Sequence, residues 1–130
     1  MKRWLLVLAL VTTACAKVPP NYPAGADVIL KARTAVVAIG TMQHAAIELN
    51  KIQVCPPQPC HPLLSDRNTG VVVDVSTDAL KTLREVPDGW RATADAAVVR
   101  VEQRLDAGGK SQFNVYLEAA RLAIKAIGGQ

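Results

Sequence analysis

Between positions 27 and 52 the chain sets Ile29, Ala32, Val36, Ile39, Met42, Ala46 and Leu49 at spacings of three and four. That is the period of one face of an α-helix. No proline interrupts the run. Immediately beyond it, Cys55-Pro56-Pro57-Gln58-Pro59-Cys60-His61-Pro62 brings four prolines into eight positions. Proline lacks the amide donor and cannot continue a helix. The chain is therefore constrained to make one long helix, stop in a stiff loop, and return. As a helix the first segment is about 39 Å long. Lys31, Arg33, Gln43, Glu48, Asn50 and Lys51 lie mostly off its apolar stripe. Gly40 falls inside the stripe, where it costs up to ~1 kcal/mol relative to Ala. Close approach of a neighbouring helix is the expected reason for it.

The proline content makes 55–70 a loop, with Asn68-Thr69-Gly70 punctuating its end. The following GVVVDV at 70–75 reads two ways: a short strand pairing back to 52–54, or the lead-in to a helix. Ser76 or Thr77 is suited to cap a helix that carries Ala79, Leu83 and Val86 on its apolar side. Pro87 halts that helix, and Pro87-Asp88-Gly89 is turn chemistry. A third helix over 90–105 aligns Trp90, Ala94, Ala97, Val98, Val101 and Leu105, with Ala107-Gly108-Gly109 closing it. Ser111 is then positioned to cap a fourth, to about Ile127, with Phe113, Leu117, Ala120, Ile124 and Ile127 inward. The expected fold is mainly α: a small three- to four-helix bundle over 26–130 with a Pro/Cys-rich loop. The β-ribbon joining 52–54 to 71–75 stays open as an alternative to the helix lead-in.

The N-terminus carries a different signal. Met1, Lys2 and Arg3 precede eight apolar residues, Trp4 through Val11. Cations followed by a short apolar run are the layout of a secretory signal. Eight helical residues rise about 12 Å, against a hydrocarbon core of about 30 Å, so this run is too short to span a bilayer. Two cuts fit. Ala14-Cys15-Ala16 is a small-x-small site for ordinary signal peptidase, which would release a soluble secreted or periplasmic chain from Lys17. Alternatively, Thr13-Ala14-Cys15 resembles the lipobox of bacterial lipoproteins. That resemblance covers the signal only. It implies removal of residues 1–14, a diacylglycerol thioether on Cys15, and acylation of its new amine with palmitate-class chains. One acyl chain anchors only marginally, at about 0.8 kcal/mol per buried methylene, whereas three anchor essentially permanently. Ala16 and Lys17 follow the cysteine. In the enterobacterial members an Asp next to the cysteine marks inner-membrane retention, so the resemblance favours the outer membrane. Residues 15–25, with Pro19, Pro20 and Pro23, read as the lipidated cysteine and an extended tether. From Lys17 onward the tether reaches about 25 Å at about 3.1 Å per residue.

The export signal changes the charge argument. The whole chain has 15 Lys and Arg against 11 Asp and Glu, and Lys2 and Arg3 leave with the signal. No basic run and few aromatics remain, which argues against a nucleic-acid partner. Either cut also discards Cys15 as a thiol, leaving Cys55 and Cys60 as an even pair in an oxidising compartment. The expected state is a local disulfide. The loop must curl to make it, because a disulfide needs Cα atoms within about 7 Å and an extended proline run holds these about 15 Å apart.

The same residues fit other chemistries. Cys55 to Cys60-His61 resembles a rare, wide-spaced variant of the haem c attachment motif, whose common form has two residues between the cysteines. Met42 or His44 would then supply the second axial ligand. Cys55, Cys60, His61 and His44 add up to a four-ligand zinc set. A thiol redox centre at Cys55 and Cys60 is the third. No glycine-flanked serine, paired acids or phosphate-cradling loop suggests a catalytic residue. The sequence thus leads to a non-enzymatic envelope lipoprotein, bacterial or phage-encoded, without cofactor. It would contact the lipid bilayer through Cys15 and an envelope protein or the cell wall through its bundle or loop. A periplasmic haem or thiol redox protein built on Cys55, Cys60 and His61 is the alternative.

Overall fold

A computed structural model describes residues 25–129 apart from Pro57. The signal, Cys15 and the tether through position 24 lie outside the described residues. Among the described residues four helices form: α1 (Ala26–Lys51), α2 (Asp66–Glu85), α3 (Trp90–Arg104) and α4 (Ala107–Gly128). Between α1 and α2 a two-stranded ribbon forms from β1 (Gln53–Val54) and β2 (His61–Pro62), and a 3-10 turn (Pro87–Gly89) joins α2 to α3. The fold is the small, mainly helical bundle expected from periodicity.

α1 begins just after Gly25, whose φ of 89° lies in the left-handed region that favours glycine. Asp27 in its first turn and Lys51 in its last complement the helix dipole, and Asp27 accepts an ion pair from Lys31 at 3.0 Å. The face it buries is Ala32, Ala35, Ile39, Met42, Ala46 and Leu49. That stripe is rotated from the expected one at two positions: Ile29 is exposed and Val36 only partly buried. Gly40 differs too. A Cβ built there meets nothing within 4 Å, so no neighbouring helix demands a glycine.

α2 settles the ambiguity at 70–75. Of the two readings the helix lead-in holds, and the ribbon between 52–54 and 71–75 does not form. Ser65, not Ser76 or Thr77, is the cap, its Oγ accepting from the Asn68 amide at 3.2 Å. The helix then runs through the valines. Val71 and Val72 are followed by Val75, Ala79 and Leu83 at steps of three and four, and all five are buried. The strand propensity of the valines is overridden because the helical period puts Val71, Val72 and Val75 in the core together. Ser76 lies inside the helix, fully buried, with its hydroxyl donating to the Val73 carbonyl at 3.2 Å.

Pro87 stops α2 as expected, and the 3-10 turn swings the chain into α3. The next boundary differs from expectation. Gly108 and Gly109 do not close α3 but lie in the first turn of α4, which Asp106 caps in place of Ser111 through a 2.8 Å bond from the Gly109 amide.

Consecutive helices run antiparallel. Gln43 donates to the Thr77 hydroxyl and Asn50 to Asp66, fixing α1 against α2. Arg67 reaches the Arg104 carbonyl while Arg100 pairs with Asp78, fixing α2 against α3. Arg121 on α4 pairs with Glu102 on α3 and with Glu118 on its own helix. α4 also packs on α1, closing an up-down-up-down bundle. Phe113, Ile39, Leu117 and Leu83 fill the centre, and Ala32, Ala35, Ala46, Ala94 and Ala97 line the seams. Among the described residues no helix is long and apolar enough to cross a membrane.

Candidate functional site

The bundle carries one feature that its core does not explain: the loop between α1 and α2. Its base is built from backbone. Gln53 pairs with Pro62 and Val54 with His61 in an antiparallel ribbon. Below that pair, the Leu63 amide donates to the Ile52 carbonyl at 2.8 Å and the Leu64 amide to the Leu49 carbonyl at 3.4 Å. Leu64 is fully buried and acts as the loop's plug in the core. The Asn50 side chain, on the last turn of α1, donates to the Leu64 carbonyl at 3.0 Å and to an Asp66 carboxylate oxygen at 2.8 Å. One amide group thus ties the end of α1 to the exit of the loop and the start of α2. Two-stranded ribbons are marginal alone; these ties to the helices supply the missing support.

Above the ribbon the disulfide Cys55–Cys60 closes the loop, with Cα atoms 4.7 Å apart. The peptide bonds before Pro56 and Pro59 are cis. Both cysteines, Pro56, Gln58, Pro59 and His61 are exposed. The result is a small covalent ring on a ribbon stalk, wired to two helices.

The other residues weighed for chemistry are not gathered around it. Met42 is buried in the bundle core, only 2% exposed. His44 projects from α1 with 72% of its side chain exposed, 4.0 Å from Glu48. Cys55 and Cys60 spend their sulfurs on each other. Among the described residues no group of three or more His, Cys, Asp and Glu is arranged to hold a metal.

Beside the loop lies a polar cluster that the sequence reading missed. Asn68, 2% exposed, donates to the Asp106 carboxylate at 3.0 Å, and its own carbonyl oxygen accepts from the Asp106 amide at 3.3 Å and from Arg67 at 3.1 Å. It reaches this far because Gly109 has no side chain: a Cβ there would lie 2.6 Å from the Asn68 amide. The Asp106 carboxyl is held below its ordinary range by the Gly109 amide first, then by Asn68, with the Arg67 charge and the Gly108 amide adding to it against some desolvation. The Arg67–Asp106 ion pair itself spans 3.7 Å with both side chains more than half exposed, and such pairs contribute little. The cluster joins the capped N-termini of α2 and α4. Its sequence signal was present in Ser65-x-x-Asn68 and Asp106-x-x-Gly109, each a capping residue three positions before a bonded group.

Comparison with protein-family models, with curated proteins and with solved structures finds nothing that matches this chain.

Proposed function

We propose that this chain is a small non-enzymatic lipoprotein of the bacterial cell envelope. Acylated Cys15 holds it at a membrane, and the helical bundle offers the disulfide-closed loop to an envelope protein or to the cell wall. The observation that carries this reading is the construction of the loop. It is exposed, covalently closed and tied by Asn50 and Leu64 to two helices, and it adds little to the core. A rigid, protruding element on a stable scaffold is how proteins pre-organise a contact surface, because less freedom is lost on binding. The signal-like residues 1–14 and the lipobox-like Thr13-Ala14-Cys15 support the envelope location.

The rival use of the same residues, haem attachment, needs both sulfurs as thioethers and is chemically exclusive of the disulfide. Intact-mass analysis of the membrane-extracted protein tests the proposal. The expected mass begins at Cys15, carries the acyl chains and lacks two hydrogens at Cys55 and Cys60. A soluble species beginning at Lys17 overturns the anchor. Two free thiols in protein taken from the periplasm, or a Soret band that survives denaturation, overturns the role assigned to the loop.

A further inference from the structure

α1 runs unbroken from Ala26 to Lys51, about 39 Å, and the two segments that matter for an anchored protein sit at its opposite ends. Gly25, where the tether joins, precedes the first turn; Ile52 and the Cys55–Cys60 loop follow the last. The rest of the bundle keeps this polarity. The starts of α2 and α4 and the end of α3 meet beside the loop in the Arg67, Asn68 and Asp106 cluster. The 3-10 turn Pro87–Gly89 packs on α1, and the end of α4 lies against Arg91 near the start of α3, both at the tether end.

On the reading that Cys15 carries lipid, which this inference rests on, we propose that the disulfide loop is the membrane-distal head of the molecule. Its partner is then one held off the anchoring bilayer, rather than the lipid surface or a neighbour beside the anchor. The loop therefore lies a full α1 length, about 39 Å, from the end of the bundle at which the anchored segment joins. The chemistry of the loop agrees. Positions 56–59 are three prolines and a glutamine. At the tip they offer no cation for anionic headgroups and no large aliphatic or aromatic group for the acyl region, while the exposed Lys51, Ile52 and Arg67 sit below it at the base of the ribbon.

Energy transfer in vesicles tests the orientation. The lipid-anchored protein is reconstituted with an acceptor dye in the headgroup layer and a donor dye carried at Gln58 or at Asp88, both exposed. Transfer from Asp88 is expected to exceed transfer from Gln58 by about twofold or more, given the separation along α1. Val86, also exposed, serves as a second base position if the Asp88 conjugate loses helical circular dichroism. Equal transfer from the two ends, or greater transfer from Gln58, in protein that floats with the vesicles overturns the orientation and leaves the anchor standing. Protein that does not float with the vesicles overturns both.

Discussion

Gly40 and Gly70 are helical residues with open space where a side chain would go, since a Cβ at either meets nothing within 4 Å. Glycine at such positions costs backbone entropy and gains no packing. Gly40→Ala and Gly70→Ala are each expected to raise stability by about 0.5–1 kcal/mol, additively, in urea unfolding of the helical domain. Gly109 sits in a helix too but has the opposite sign. Its missing Cβ makes room for Asn68, so Gly109→Ala is expected to lower stability by roughly 1–3 kcal/mol in the same assay despite better helix propensity. Asp106 gives a pH signature. Its carboxyl has a lower pKa folded than unfolded, so its contribution is complete above the unfolded value near 3.8 and fades as pH falls through the folded one. The stability gap between the native chain and Asp106→Ala should therefore be widest at neutral pH and narrow below about pH 4, in urea titrations at several pH values. These signs were not legible in the sequence. Along the chain Gly40 reads as the site of close approach and Gly109 as a helix stop, and only the neighbour that tertiary packing brings, or fails to bring, reverses the two.

At the scale of elements, periodicity identified all four helices, and Pro87 gave the break between α2 and α3. What the sequence misplaced were the starts of α2 and α4. Ser76, Thr77 and Ser111 are as good caps by residue type as Ser65 and Asp106. The choice was made by burying Val71, Val72 and Val75 together, and by Asn68 reaching Asp106, both long-range events. The disulfide was legible from cysteine parity, whereas the ribbon beneath it was not: its second strand is a His-Pro pair, with none of the β-branched residues that signal a strand. The ring is small, so its removal should be mild. Replacing both cysteines by serine is expected to cost at most about 2 kcal/mol, from loop-closure entropy over so few residues. Helical circular dichroism should be retained, because the ribbon base and Asn50 still hold the loop ends. Loss of the helical signal in the double variant would mean that the ring organises the bundle rather than decorating it.

For the whole molecule, the bundle was readable because each helix announces its own inward face. The proposed location rests instead on the first 25 positions. Cys15→Ser is expected to move the protein from the membrane pellet to the soluble fraction after cell breakage, with the bundle unchanged by circular dichroism. Retention in the pellet would place the membrane contact elsewhere. If anchor and loop both engage, a single helix stands between them. Any pull from one to the other enters at Gly25 and leaves at Ile52, along the axis of α1. Its contacts with α2 and α4 run parallel to that force and are loaded in shear. Many side chains must then slip at once, where a pull applied sideways would part them one by one.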